Sequence, residues 1–329
     1  MITKKVKKAG LIISILIFCT QSVRAQDIMF SQFYSNPLYL NPALAGADVC
    51  PRLSLGTRLQ WISVPNAYNT FFLSYDQYVD GLRGGIGVSL IADMQADGAQ
   101  NVYLGSIMYS YRLQINRDLY MNFALEANIR NNALHWERLV FPNDLSGGTP
   151  GTTTPPTSMS NWTPDFSAGT IIYGSNWYAG AAVAHLLQPS DGFYGDSPIP
   201  MKMTAHVGAR LNTSNEERRT SPLGLGSPVI SPNVIFQHQQ KYNYFAYGLY
   251  ADWEPFITGI WFRHGLENAD AFIFLVGFQN ENIRLGYSYD LTISQLANVS
   301  GGAHEITFGF KFPCPEKKKK IKKINCPSF

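Results

Sequence analysis

The sequence predicts an all-β fold, a transmembrane antiparallel barrel of about fourteen strands preceded by a segment that belongs to no strand. Three observations predict it. Charged residues are 15% of the chain and aromatics 13%, against about 25% charged in an ordinary soluble domain. The one long apolar run, Ala9 to Phe18, follows Lys4, Lys5, Lys7 and Lys8 and precedes Val23-Arg24-Ala25; that is the layout of an export signal, and it is too short for a spanning helix of about 20 residues. Roughly ten-residue stretches of alternating apolar and polar residues recur along the rest of the chain.

Taken in order, residues 1–25 form the signal peptide, with cleavage after Ala25. Cys19 does not mark a lipoprotein, because Phe18 stands where a small residue is wanted. Residues 26–50 are rich in Asn, Pro and aromatics and show neither helical nor strand periodicity. They are too apolar for a free tail and are read as a plug or hatch, inside the barrel or across its periplasmic mouth. The barrel occupies 51–313. Its strands are placed at 51–62, 68–78, 84–94, 100–112, 118–131, 165–174, 177–186, 202–212, 229–240, 242–253, 256–264, 270–279, 282–290 and 303–312.

Alternation is clearest at 119–130, where Leu119, Met121, Phe123, Leu125 and Ile129 interleave with Asn122, Glu126, Asn128 and Arg130. It returns at Ile283, Leu285, Tyr287 and Tyr289, and at Ile306, Phe308 and Phe310. A soluble sandwich would alternate too; the turns separate the two folds. Brief turns at Asp80-Gly81, Asn116-Arg117-Asp118, Gly174-Ser175-Asn176, Glu254-Pro255 and Asn280-Glu281 follow even strands. The long connections Phe141–Pro164, Leu187–Pro200 and Thr292–Gly302 follow odd ones, as short periplasmic turns and longer outer loops require. Asn212 to Ser227 breaks the rule, through a miscounted strand or an extended turn. Gly147 to Ser160 is a low-complexity outer loop. Trp61, Tyr75, Tyr78, Tyr103, Trp253 and Trp261 fall near strand ends or on greasy faces and are read as the interfacial girdle that meets outer-membrane lipid.

Residues 314–329 form a tail carrying Lys317, Lys318, Lys319, Lys320, Lys322 and Lys323, and ending Cys326-Pro327-Ser328-Phe329. The formal charge of +3 falls to −2 once the signal leaves, and the tail's local +5 leaves about −7 elsewhere. That balance excludes a nucleic-acid binder. The tail is a solvated end or an electrostatic contact for a periplasmic partner. Cys50 stands before the first strand and Cys314 after the last, and closure pairs those strands, so a Cys50–Cys314 disulfide is expected.

Chemistry finds little support. His135, His185, His206, His238, His264 and His304 are scattered, no Gly-x-Ser-x-Gly occurs, and Gly84-Gly85-Ile86-Gly87 lies in a strand without the lysine and helix of a phosphate loop. Those glycines instead ease a bend or leave room for the plug. Glu126, Arg130, Arg284, Asp290, Glu305 and Lys311 read as an internal packing network. The expectation is no catalytic residue, no cofactor and no metal.

Asp27 to Gly46 contains Phe30-Ser31-Gln32-Phe33-Tyr34 and Asn36-Pro37-Leu38-Tyr39-Leu40-Asn41-Pro42-Ala43. It resembles the N-terminal signature of the PorP/SprF family, and the strand rhythm, Ser231-Pro232-Asn233 and the Cys-Pro-Ser-Phe end extend the resemblance over the mature chain. The resemblance implies a FadL-like barrel in the outer membrane of Bacteroidota, working in type IX secretion beside periplasmic ring proteins. It also implies the export or anchoring of a large surface adhesin, with links to gliding motility. Phe30, Ser31, Gln32, Tyr34, Asn36, Pro37, Tyr39, Asn41 and Pro42 are then the plug or partner motif, and both plug and tail face the periplasm. The Asn-Pro pairs are expected to form turns that keep the segment out of helix and strand. The alternative is a FadL-like channel for a hydrophobic solute.

Overall fold

The computed structural model describes residues 27–48, 50–64, 68–139, 141, 154–212, 228–266, 268–295 and 297–314. The export signal at 1–25, most of the Thr- and Pro-rich loop, the connection 213–227, Lys317 to Lys323, Cys326 and Phe329 lie outside the described residues.

Alternating sequence becomes strand where turn residues let it. The strands are β1 Arg52–Gln60, β2 Tyr68–Val79, β3 Gly84–Gln95, β4 Gln100–Gln114, β5 Tyr120–Leu134, β6 Ser160–Tyr173, β7 Trp177–Ala184 and β8 Lys202–Ala209. They continue as β9 Leu211–Asn212, β10 Val229–Gln239, β11 Tyr242–Asp252, β12 Phe256–Gly265, β13 Ala269–Gln279, β14 Ile283–Thr292 and β15 Ala303–Lys311. Apart from β8 and β9, each pairs antiparallel with its chain neighbours, and β1 pairs with β15 from Arg52↔Lys311 to Gln60↔Ala303, which closes the ring. β8 and β9 are one strand interrupted at Arg210, both paired with β10, so the wall has fourteen positions.

Burial runs opposite to that of a soluble sandwich. In β5 the apolar Leu125 is 70% exposed while Asn122 is 1% exposed. Apolar side chains therefore point out and polar ones in, as a lipid-facing barrel demands. No described helix is long and apolar enough to cross a membrane. The inward positions of β1, Arg52, Ser54 and Arg58, are all buried. Buried charge of this kind persists only when paired.

One end of the barrel holds the start of β1, the end of β15 and the brief turns; we call it the disulfide end. The other holds the connections after β5, β7 and β14 and is the long-loop end. The wall is uneven. β4 and β5 pair over their full length, from Gln100↔Leu134 to Gln114↔Tyr120, whereas β6 and β7 pair only from Ala168↔Val183 to Tyr173↔Tyr178. Just past that short ladder the chain turns at His185, in left-handed conformation with φ 59°.

Two expectations need correction. Trp261 and Tyr78 are not girdle residues; both are buried and face inward, Trp261 among Phe33, Tyr34 and Tyr250, and Tyr78 under the Arg112 guanidinium. Proximity to a strand end was a poorer guide than parity, since Trp261 shares the inward phase of Ile257 and Arg263. The Asn-Pro pairs do not keep the segment out of helix. Pro37–Leu40 is one α-helical turn and Pro42–Leu44 a 3-10 turn, because a proline at the first helical position loses no needed donor and already has the required φ.

Candidate functional site

The residues from Asp27 to Asp48 run along the polar inner wall from the long-loop end to the disulfide end, and residues 30–38 and 40–47 are all buried. At the long-loop end the Asp27 carboxylate meets Lys202 Nζ at 2.9 Å and His185 Nε2 at 2.8 Å, while its backbone N–H donates to Gln239 Oε1 at 3.2 Å. His185 Nδ1 lies 2.7 Å from Asp165 Oδ2, so the left-handed turn after β7 aims the ring between two carboxylates. Lys202 also lies over the Tyr39 ring, 4.4 Å from its centroid, and Tyr39 Oη donates to Ile28 O at 2.7 Å.

One step further in, the Ser31 hydroxyl donates to Asp290 Oδ2 at 2.6 Å and accepts from Arg58 Nη1 at 2.6 Å. Its backbone N–H donates to Glu305 Oε2 at 2.7 Å. Gln32 Nε2 donates to Glu305 O at 2.9 Å, and its Oε1 accepts from Thr307 at 2.6 Å. Arg58 bridges Asp290 at 2.9 Å and Glu305 at 3.2 Å, and Arg263 reaches Asp290 at 3.3 Å. A two-residue polar element is thus held by charged groups from β1, β12, β14 and β15.

Aromatic packing holds the middle. Phe30 makes edge contacts with Tyr39 and Phe72 at 5.3 and 5.2 Å. Phe33 meets Trp261 at 5.2 Å, and Tyr34 meets Tyr178 at 6.0 Å. Such pairs add about 0.5–1.5 kcal/mol each beyond their burial. Asn41 Oδ1 accepts from Ala43 N at 2.9 Å, capping the 3-10 turn, and its Nδ2 donates to Thr170 O at 3.0 Å and lies 3.1 Å from His206 Nε2. Asn36 is as buried, yet its side-chain amide has no hydrogen-bond partner among the described residues. Pro37 and Pro42 open the two helical turns beneath it.

At the disulfide end the carbonyl of Ala43 accepts from Ser110 and Asn122, both at 3.1 Å, and Gly46 N donates to Asp76 at 2.9 Å beside the Arg52–Asp76 ion pair. Lys311 pairs with Asp48 at 2.8 Å. Cys50 and Cys314 form a disulfide with Cα atoms 4.8 Å apart, inside the upper limit of about 7 Å for such a link. Thiol labelling of the unfolded, unreduced protein is therefore expected to leave Cys50 and Cys314 unmodified until a reductant is added. Wall glycines give the segment room: a methyl at Gly85 would meet the Ala45 carbonyl, and one at Gly169 the Asn41 amide.

The cluster at the long-loop end predicts a pH dependence. Burial opposes the charged form of His185, but Asp27 and Asp165 outweigh it and raise its pKa from 6.5 to about 9. Burial would likewise raise Asp27, but Lys202 and His185 hold it well below 3.8. The His185 contribution is therefore complete below about pH 6.5 and lost as pH rises through about 9; the Asp27 contribution is complete above about pH 4 and lost on acidification below that. Amide protection factors at residues 27–30, which divide out the base-catalysed rise of intrinsic exchange, are expected to stay high between about pH 4 and 6.5 and to fall toward pH 9.5. His185→Ala should remove the alkaline step.

Arg58, Asp76, Asp165, His185, Lys202 and Arg263 escaped sequence reasoning. Arg58 alternates in phase with Ser54 and Arg52 on β1, a signal that it faces inward, but nothing local names its partners. Of the network residues named from sequence, Asp290 and Glu305 meet Arg58, Arg130 pairs with Asp191 at 3.0 Å, and Lys311 pairs with Asp48. No group of three or more His, Cys, Asp or Glu among the described residues could hold a metal.

Two recesses open beside the first residues of the segment. One, of about 440 Å³, is lined by Met29, Arg58, Trp61, Asp93, Asp270 and Asp290 among others. The second, of about 260 Å³, adds Gln100, Arg130, Asn132 and Asp191, and the two share Asp27, Ile28, Asp93 and Gln95.

Comparison with known proteins gives three findings. A family described as type IX secretion system membrane protein PorP/SprF matches residues 22–310. No curated protein matches the chain. Among solved structures it is similar to the P. putida toluene transporter TodX, at 10% identity over 83% of this chain and 92% of that one, with TM-score 0.49. It is also similar to a TodX deltaS2S3 mutant monoaromatic hydrocarbon channel, at 11% identity over 84% and 94%, TM-score 0.46. The Acinetobacter baumannii outer membrane protein Omp33 is similar at 8% identity over 81% and 100%, TM-score 0.44. Likeness this slight says nothing of what the chain binds or passes.

Proposed function

Since the chain belongs to the PorP/SprF family of type IX secretion system membrane proteins, we propose that it is the machine's docking barrel, plugged by its own residues 26–50. The family is one of secretion-system membrane proteins and not of enzymes. In this reading the disulfide end faces the periplasm and the long loops face outward. The lumen stays shut, periplasmic ring proteins dock where both chain ends leave the barrel, and a large adhesin is the exported or anchored cargo. The Lys-rich tail from 314 onward supplies the electrostatic part of that contact, and the apolar outer face meets outer-membrane lipid.

The observation that supports this most is the hold on the segment at both ends and in the middle, by ion pairs, hydrogen bonds and aromatic rings from strands all around the wall. A channel for a hydrophobic solute would have to break all of these, and the two large recesses are walled mainly by polar side chains. The test is extraction in mild detergent followed by affinity capture of the full chain and of a chain ending at Pro315, which keeps the Cys50–Cys314 disulfide. Periplasmic ring proteins should accompany the first and be depleted from the second. If neither chain captures them while the purified barrel conducts or binds lipid, the docking reading fails.

A further inference from the structure

We infer that the trough at the long-loop end is a binding site for a basic peptide segment in extended form. The shape comes first. The two recesses join around the opening residues of the lumen segment through Asp27, Ile28, Asp93 and Gln95, which makes one elongated trough and not a closed pocket.

Charge decides the ligand. Five carboxylates line the trough, Asp27, Asp93, Asp191, Asp270 and Asp290, against three guanidiniums, with Lys202 and His185 standing behind Asp27. Each guanidinium is already engaged: Arg58 by Asp290 and Glu305, Arg130 by Asp191, Arg263 by Asp270 and Asp290. Of their buried nitrogens only Arg58 Nε is left without a partner among the described residues, so an anion would find little free positive charge there. Asp93 is buried and, among the described residues, its side chain is held by the Thr70 hydroxyl and the Gln95 amide, at 2.7 Å for the latter. Asp290 is 2% exposed, and its Oδ1 has no hydrogen-bond partner among the described residues. Asp270 stands half-exposed at the rim. Asp27 is met by Lys202 and His185, Asp191 by Arg130 and Asp270 by Arg263. What remains unmet among the described residues is the charge of Asp93 and one oxygen each of Asp290 and Asp191, against a single N–H of Arg58; that surplus of acceptors is what a lysine or arginine side chain satisfies.

The rest of the lining fits a polypeptide. Gln60, Gln95, Gln100 and Asn132 offer both donors and acceptors, as backbone amides need, and the Trp61 ring provides a face for a guanidinium or an aliphatic stem. In the orientation proposed above the trough opens outward, where an exported chain emerges. The assignment rests on that reading for its biological setting only.

Purified full-length protein in detergent micelles, titrated with fluorescein-labelled deca-lysine, deca-glutamate and unlabelled maltohexaose as competitor, tests this by anisotropy. Deca-lysine should bind saturably and weaken with salt; Asp93→Asn and Asp270→Asn should each weaken it about tenfold or more. Heat-modifiable mobility on a gel shows whether each variant is folded, and rim residue Asp270 serves if Asp93→Asn fails to fold. Equal binding of deca-glutamate, displacement by maltohexaose, or deca-lysine binding unchanged in Asp270→Asn would overturn the assignment. Capture of ring proteins uses the opposite end of the barrel, so its success or failure is independent of this result.

Discussion

Arg58→Ala should lower the stability of the barrel by about 3–5 kcal/mol, the cost of stripping one partner from a buried ion pair. The side chain is 3% exposed and bridges Asp290 and Glu305, themselves 2% and 1% exposed. Asp290 keeps Arg263 when Arg58 is gone, whereas Glu305 loses its only ion-pair partner among those described and retains the backbone N–H groups of Ser31 and Gln32. The damage therefore falls on the segment as well as the wall. Thermal unfolding in detergent, read by gel mobility and by protease cleavage at residues 27–48, should show both effects. Arg130→Ala is the contrast: its pair with Asp191 is 15% and 13% exposed, and the loss should be nearer about 1 kcal/mol. Equal melting of Arg58→Ala and wild type would show that the buried triad does not hold the segment.

Gly85→Val should detach the other end. Any side chain there meets the Ala45 carbonyl and the Gly46 Cα, both backbone atoms that a rotamer change cannot clear. Gly46 itself has φ 65° and its N–H on Asp76, so it has no slack to move. Overpacking of this kind costs about 1–3 kcal/mol, and here the relief is to lift Ala43 to Ala47 off Ser110, Asn122 and Arg112. Proteolysis after residue 40 should rise while the strand content by circular dichroism stays. Gly81→Val, in a turn where an added methyl has open space, should change nothing. Undiminished protection of the segment in Gly85→Val would remove the close approach as its cause.

The barrel was legible because its signals are local. Period-two alternation, Gly, Asn and Pro at turns, and low charge each act within a few residues, and they located all fourteen wall positions. The break at Arg210 was not legible, since both flanking pieces keep the same partner and phase. The motif residues Phe30 to Pro42 stood out as too apolar to be free, but their neighbours did not. Arg58, Asp165, His185 and Lys202 come from four separate places in the chain, and only the register of the closed sheet brings them to Ser31 and Asp27. His185 in particular follows its strand and turns inward through a left-handed residue, which alternation cannot foresee. Trp261 could have been placed correctly from its phase with Arg263.

The bonds from Ser31 to Asp290 and Glu305 join residues 259 and 274 positions apart. Contacts so distant in sequence form late, because the intervening loop must be ordered first. Ser31 and Gln32 are therefore among the last residues to find their places: they have no seat until the final hairpin arrives and the ring shuts. Until then the aromatic and amide groups of Phe30 to Tyr34 lack the partners from β12, β14 and β15 that bury them in the closed barrel.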